Sequence, residues 1–149
     1  MRGRCVVFDM DGVLSDAAGR QHFLDDSKPT KDWKAFFEAC GDDPIADDVH
    51  KLLDLLDPTL HIVLLTARPA RVLRETLAWL ERYEVRWDAL LMRDDRDHRT
   101  SSAFKHDSLA ALREHGFEVL LAFEDDRRNV AMFRENGVHC VYIHSGYYE

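Results

Sequence analysis

A chain of 149 residues, 46% hydrophobic and 32% charged, has the length and balance of one globular domain. Its formal net charge of −8 excludes non-specific binding along a nucleic-acid backbone, which needs a basic face, and leaves recognition of a strand end open. The three cysteines, Cys5, Cys40 and Cys140, form no CxxC pair, which excludes a disulfide scaffold or zinc ribbon and fits a reducing, cytoplasmic setting.

In chain order, residues 4–8 (RCVVF) read as a buried strand. The apolar run there is too short for a signal-peptide core, and no later run is long enough to span a membrane. The strand ends in Asp9-Met10-Asp11-Gly12. Two carboxylates two residues apart repel each other unless a cation sits beside them, and Mg²⁺ prefers such oxygen ligands. One carboxylate can attack phosphorus, and its neighbour can protonate the leaving oxygen and then activate water. Helices are expected near residues 31–40 and 46–56, then a strand at 60–65 (LHIVLL). That strand ends in Thr66-Ala67-Arg68-Pro69, with a helix expected from about 69 to 83 and proline in its first turn. A hydroxyl and backbone N–H groups at a helix start form a phosphate cradle.

A third strand is expected at 89–92 and a helix at 104–115, stopping at Gly116. Lys105 stands near that helix's start, where a lysine opposes the macrodipole unless carboxylates or a phosphate hold it. The strand at 117–123 (FEVLLAF) ends in Glu124-Asp125-Asp126, three acids that need a cation or arginine nearby, unless one of them caps the following helix. A helix at 127–136, Gly137 and a last strand at 138–143 complete the pattern. Continuous apolar strands alternating with helices predict a three-layer α/β/α sandwich around a mostly parallel sheet of about five strands. Ligands of such sheets bind at the carboxyl ends of the strands, where these four polar signals fall.

These residues resemble the haloacid dehalogenase superfamily of Mg²⁺-dependent phosphohydrolases: DMDGV matches its first motif, LLTAR its second, Lys105 its third and EDD its fourth. Within it the chain is most similar to the phosphatase part of polynucleotide kinase/phosphatase enzymes. Arg20 lies eleven residues after Asp9, KDWKAFFEAC resembles their KKDWxxFF segment, and LLMRDDRDHRTSSAFK brings Asp97, Arg99 and Lys105 into register. FRENGVHCVYIHSGYYE resembles their final helix and strand.

The resemblance implies Asp9 as nucleophile and metal ligand, and Asp11 as general acid/base that binds the metal through its backbone carbonyl. Thr66, Ala67 and Lys105 would hold the phosphoryl group, and Arg20, Arg68 and Arg99 would contact substrate. Asp125 would be the direct ligand of Mg²⁺ at the fourth motif, with Glu124 and Asp126 as candidates to support it. Val13 stands in place of the more usual threonine, and Ser101 and Ser102 in place of acidic residues before Lys105. The implied activity is removal of a 3′-phosphate from a DNA or RNA end, with a small-molecule phosphatase as the alternative and any 5′-kinase or ligase partner a separate chain.

The spacing expects one domain over residues 1–149, with a small helical insertion at about 17–57 and no full cap domain. Two readings stand for Arg93, Arg96, Arg99 and Lys105, with Lys28, Lys31 and Lys34 opposite: a basic rim around an acidic centre, or a loop whose arginines pair with Asp94, Asp95 and Asp97. Trp33, Phe36 and Phe37 at helical spacing read as core more than as a base-stacking platform.

Overall fold

A computed structural model describes residues 3–25 and 30–148. Five strands form one parallel sheet: β1 (Gly3–Phe8), β2 (His61–Pro69), β3 (Ala89–Arg93), β4 (Phe117–Glu124) and β5 (His139–Tyr142), in spatial order β3-β2-β1-β4-β5. Five α-helices connect them: α1 (Trp33–Glu38) and α2 (Asp47–Leu55) between β1 and β2, α3 (Leu73–Arg82), α4 (Ser101–Glu114) and α5 (Arg127–Glu135). The expected α/β sandwich is thus observed. Among the described residues no helix is long and apolar enough to cross a membrane.

Strand alternation sorts the core into two layers. Cys5 and Val7 of β1, with Val63 and Leu65 of β2, pack on Phe104, Leu109 and Leu112 of α4 and Val130 and Phe133 of α5. Val6 and Phe8, with Ile62 and Leu64, pack on Leu53 of α2 and on Trp79 and Leu80 of α3. The period of two along each strand sends alternate side chains to opposite faces, so a sheet covered on both sides reads as an unbroken apolar run. Phe8 stacks on Phe123 of β4 with centroids 4.6 Å apart, at the last apolar position before the site.

β2 extends beyond the expected residue 65. It continues through Thr66 and Arg68 to Pro69, with a register irregularity between Thr66 and Pro69. Polar residues remain in this strand because Arg68 and Thr66 are buried and find partners inside. Pro69 therefore closes a strand rather than opening a helix, and α3 starts only at Leu73 after a short 3-10 turn. A second 3-10 segment, Ala18–Leu24, precedes α1. The helix expected at 31–40 shortens to the six residues of α1, capped by Asp32, whose side chain accepts the Ala35 N–H. Phe36 is buried as expected, but Trp33 is 47% exposed and lies against Phe36 and Phe37 at the surface.

Candidate active site

The sheet order reverses direction at β1 and β4, the topological switch point at which open α/β sheets bind ligands. Asp9 leaves the end of β1 there, and its N–H donates to the Phe123 carbonyl at 3.1 Å. The chain then curls tightly, with the N–H groups of Val13, Leu14 and Ser15 all donating to the Met10 carbonyl. Gly12 adopts φ +85°, and a Cβ added there would stand 2.0 Å from Asp125 Oδ2. Only glycine tolerates both that backbone and that approach. The loop after β1 is thereby pressed against the end of β4.

Lys105, one helical turn into α4, is 1% exposed. Its Nζ lies 3.0 Å from Asp9 Oδ1 and donates to Glu124 Oε2 at 2.8 Å. Asp9, Glu124 and Asp125 each present a carboxylate oxygen, and all three oxygens lie within 4.8 Å of one another. Asp125 Oδ2 accepts the Ser145 hydroxyl at 2.7 Å, whereas Asp125 Oδ1 is buried with no hydrogen-bond donor among the described residues. Burial and then the charge of Asp9 push the Glu124 and Asp125 carboxyls above the ordinary range. Burial works against the Lys105 charge, but Asp9 and Glu124 outweigh it and raise its pKa. With all three carboxylates ionised, one ammonium would leave two negative charges in excess, and the orphaned Asp125 oxygen is placed to ligate a cation. This donor set fits a hard divalent ion such as Mg²⁺.

Raised carboxyl pKa values favour the neutral form, whereas a metal needs the ion, so binding must release protons and tighten as pH rises. Mg²⁺ should therefore raise the melting temperature more at about pH 8 than at about pH 6. Thermal melts at the two pH values check this, together with titration calorimetry in buffers of different ionisation enthalpy.

Asp11 stands apart from that acidic group. Its Oδ1 accepts Arg20 Nη2 at 2.7 Å and Arg68 Nη2 and Nε at 2.6 and 3.1 Å. Burial raises its pKa, but the charges of Arg68 and Arg20 overcome this and hold the carboxyl at about 2. Arg20 and Arg68, expected to contact substrate, are instead 3% and 0% exposed beneath Asp11. Their guanidinium groups are spent on Asp11 and on Asp43.

Thr66 is buried two residues beyond Leu64, the sheet partner of Phe8, and its hydroxyl accepts the Arg68 N–H at 3.1 Å. Ala67 beside it is half-buried. Both belong to β2, so the expected cradle is a strand end and not a helix start. The fourth-motif register resolves geometrically. Glu124 joins Asp9 and Asp125, while Asp126 caps α5 through the Arg128 N–H and pairs with the Arg128 guanidinium at 3.0 Å. Asp126, expected to support the metal, is thus turned to its own helix.

The loop after β3 is self-paired only in part: Arg93 Nε is buried with no hydrogen-bond partner among the described residues, and its guanidinium lies over the Phe104 ring. Arg99 pairs with Asp97 at 2.9 Å and also with Asp107, Asp94 accepts the Arg96 N–H, and Asp95 accepts the Arg71 N–H. Lys105 is no part of a rim, since it is buried in the centre. On the opposite side Lys34 lies 4.0 Å from Glu38, and Lys28 falls outside the described residues. Ser101 and Ser102, at positions expected to be acidic, both hydrogen-bond the buried Asn129 of α5 and tie α4 to it. Asp43 and Ser145 are site residues that no motif announced. Asp43 lies among other acids in GDDP, and Ser145 follows the last strand, so only the chain's path brings either inward.

Residues 3–148 match the family model of the phosphatase domain of polynucleotide kinase PNKP. No curated protein sequence matches the chain significantly. Among solved structures, a chain from the Pnkp1/Rnl/Hen1 RNA repair complex superposes with a TM-score of 0.76 at 23% identity over 96% of this chain and 43% of that one. A second structure of the Pnkp1/Rnl/Hen1 complex gives 0.78 at 25% identity, covering 96% and 46%. This chain therefore spans less than half the length of those relatives. A haloacid dehalogenase-like hydrolase from Streptococcus pneumoniae shares the fold at 15% identity, with a TM-score of 0.66 over 99% of this chain and 88% of that one. With the family model spanning nearly its whole length, the chain belongs to the phosphatase domains of polynucleotide kinase PNKP, a branch of the haloacid dehalogenase-like phosphatases.

Proposed function

We propose that this protein is a Mg²⁺-dependent phosphomonoesterase that works through an aspartyl-phosphate on Asp9 and removes 3′-phosphates from polynucleotide ends. The observation that carries the reading is the setting of Asp9. Its carboxylate touches Lys105, neighbours Glu124 and Asp125, and is followed two residues on by a carboxylate gripped by two arginines.

Asp9, Asp125 and the Asp11 carbonyl would hold Mg²⁺, with Glu124 alongside. Bound there, the ion supplies Lewis-acid compensation of phosphoryl charge. Asp9 attacks phosphorus in line, the bond to the 3′-oxygen breaks, and that oxygen takes a proton from Asp11. Lys105 and Thr66 offset and orient the phosphoryl oxygens. In the resting site Asp11 is ionised; the incoming phosphate dianion opposes the arginines and favours its protonated form. Once the strand has left, the ionised Asp11 takes a proton from the water that cleaves the aspartyl-phosphate.

The family supports a polynucleotide substrate. The three free, buried cysteines suit a reducing cytoplasm. The relatives in an RNA repair complex support a partnership with a separate ligase.

The test is phosphate release with Mg²⁺ from a 3′-phosphorylated oligonucleotide, a 3′-mononucleotide and a 5′-mononucleotide. Faster release from the oligonucleotide is expected, with an apparent KM that rises with salt. Equal or faster release from a mononucleotide would overturn the polynucleotide reading in favour of a small-molecule phosphatase.

A further inference from the structure

Asp43 lies in the segment between β1 and β2, just after a 3-10 turn, and is 4% exposed although its neighbours Asp42 and Pro44 face solvent. It takes Arg20 in a two-point grip: Oδ1 accepts Nε at 2.8 Å and Oδ2 accepts Nη2 at 2.5 Å. Oδ2 also accepts the Ser15 hydroxyl and lies 3.7 Å from Arg68 Nη2. The Asp43 backbone is pinned in turn, because its carbonyl accepts Trp79 Nε1 of α3 at 2.7 Å.

The remaining arm of Arg20, Nη1, donates to the Phe36 carbonyl at 3.0 Å, and the guanidinium lies over the Phe36 ring at 4.4 Å. A planar fork held at this many points has one orientation. Its Nη2 can then meet only Asp11 Oδ1 and Asp43 Oδ2. All three guanidinium hydrogen bonds to Asp11 fall on Oδ1, and among the described residues Oδ2 accepts none. Two arginines and two carboxylates also balance in charge, so the group keeps its arrangement without drawing on the acids around Asp9.

We propose that Asp43 is a positioning residue for the leaving-group step: it aims Arg20, and through Arg20 and Arg68 it fixes the Asp11 carboxylate with Oδ2 toward the scissile oxygen. The inference rests on the reading of Asp9 as nucleophile and Asp11 as acid/base. It gives the segment between β1 and β2 a part in the reaction, since that segment delivers Arg20, Phe36 and Asp43 together.

The experiment separates proton delivery from general integrity. The full chain with Mg²⁺ is used in excess over substrate, so that only the first turnover is read. One substrate is a 3′-phosphorylated oligonucleotide, whose alkoxide leaving group needs a proton. The other is p-nitrophenyl phosphate, whose phenolate leaves without one. Asp43→Asn should slow the first turnover on the oligonucleotide about 100-fold. Release of p-nitrophenol should stay within about threefold of the unaltered protein. An equal loss on both substrates, or no loss on either, overturns the proposal.

Should Asp43→Asn fail to fold, Ser15→Ala carries the test. It removes one hydrogen bond from Asp43 without unpairing a buried charge, and should give the same selectivity at roughly tenfold. Loss on both substrates alike, or on neither, again counts against the assignment. Asp9→Asn run alongside should abolish release from both; activity surviving there overturns the nucleophile reading itself, so the two failures stay distinct.

Discussion

Asp9→Asn should eliminate phosphate release, by at least about 10⁴-fold, while leaving the metal-free protein as stable as before or more so. The two halves of this expectation share one cause. Asp9 is held within reach of Glu124 and Asp125, and after burial itself its charge is what pushes both of their carboxyls toward the neutral form. An amide at that position can still accept the Met10 N–H, which donates to Asp9 Oδ1 at 2.8 Å, but it adds no charge to the cluster. The proposed nucleophile is therefore a local liability in the metal-free protein. Steady-state assays and thermal melts in a chelator check both halves. Residual turnover near the unaltered level would overturn the covalent mechanism, and a large fall in melting temperature would overturn the account of the repulsion.

Lys105→Met should have the opposite profile, with activity and stability lost together. The ammonium is the cation that meets both Asp9 and Glu124 in a buried setting. Removing one partner of a buried pair strands the other charge, at a cost of about 3–5 kcal/mol. The loss depends on pH with a definite sign. The Lys105 pKa is raised, so its contribution to stability is complete below the lysine's ordinary value and fades only at strongly alkaline pH. In the variant, falling pH lets Glu124 and Asp125 take up protons and relieves the stranded charge. The deficit should therefore be largest above about pH 8 and shrink toward about pH 5. Denaturant melts across that range give the curve, and a deficit independent of pH would mean that Lys105 matters for packing rather than charge.

The strands and the four polar strand ends were legible because their signals are local. An apolar run such as RCVVF or FEVLLAF has few alternatives to a buried strand, and an acid straight after it lies at the sheet's carboxyl edge. The roles of the arginines were not legible, because the sequence does not say which way a guanidinium points. Arg20 and Arg68 turn inward since two carboxylates, the half-buried Asp11 and the buried Asp43, meet them from separate segments of the chain. Choosing among Glu124, Asp125 and Asp126 depended on where α5 begins, and its capping residue is fixed only by the helix itself. Trp33 departs from the expected core for a related reason. Helical spacing predicts a buried face only when the helix is long enough to have one, and α1 has six residues.

The position of β1 bears on how the protein is made. A ribosome extends the chain from its amino end at about 5–20 residues per second, so β1 emerges before any of its neighbours. It sits in the middle of the sheet, yet its partner on one side begins at His61 and on the other at Phe117. Until residues 117–124 are made, one border of this strand stays unpaired, the condition in which strands aggregate or mispair. Its acid also waits without the lysine and the carboxylates that define its chemistry. Synthesis of β4 ends both conditions at once, closing the open border and bringing Glu124 and Asp125 to Asp9. In this topology the nascent chain closes the open border of its central strand and completes the acidic group around Asp9 in one step, when β4 is made.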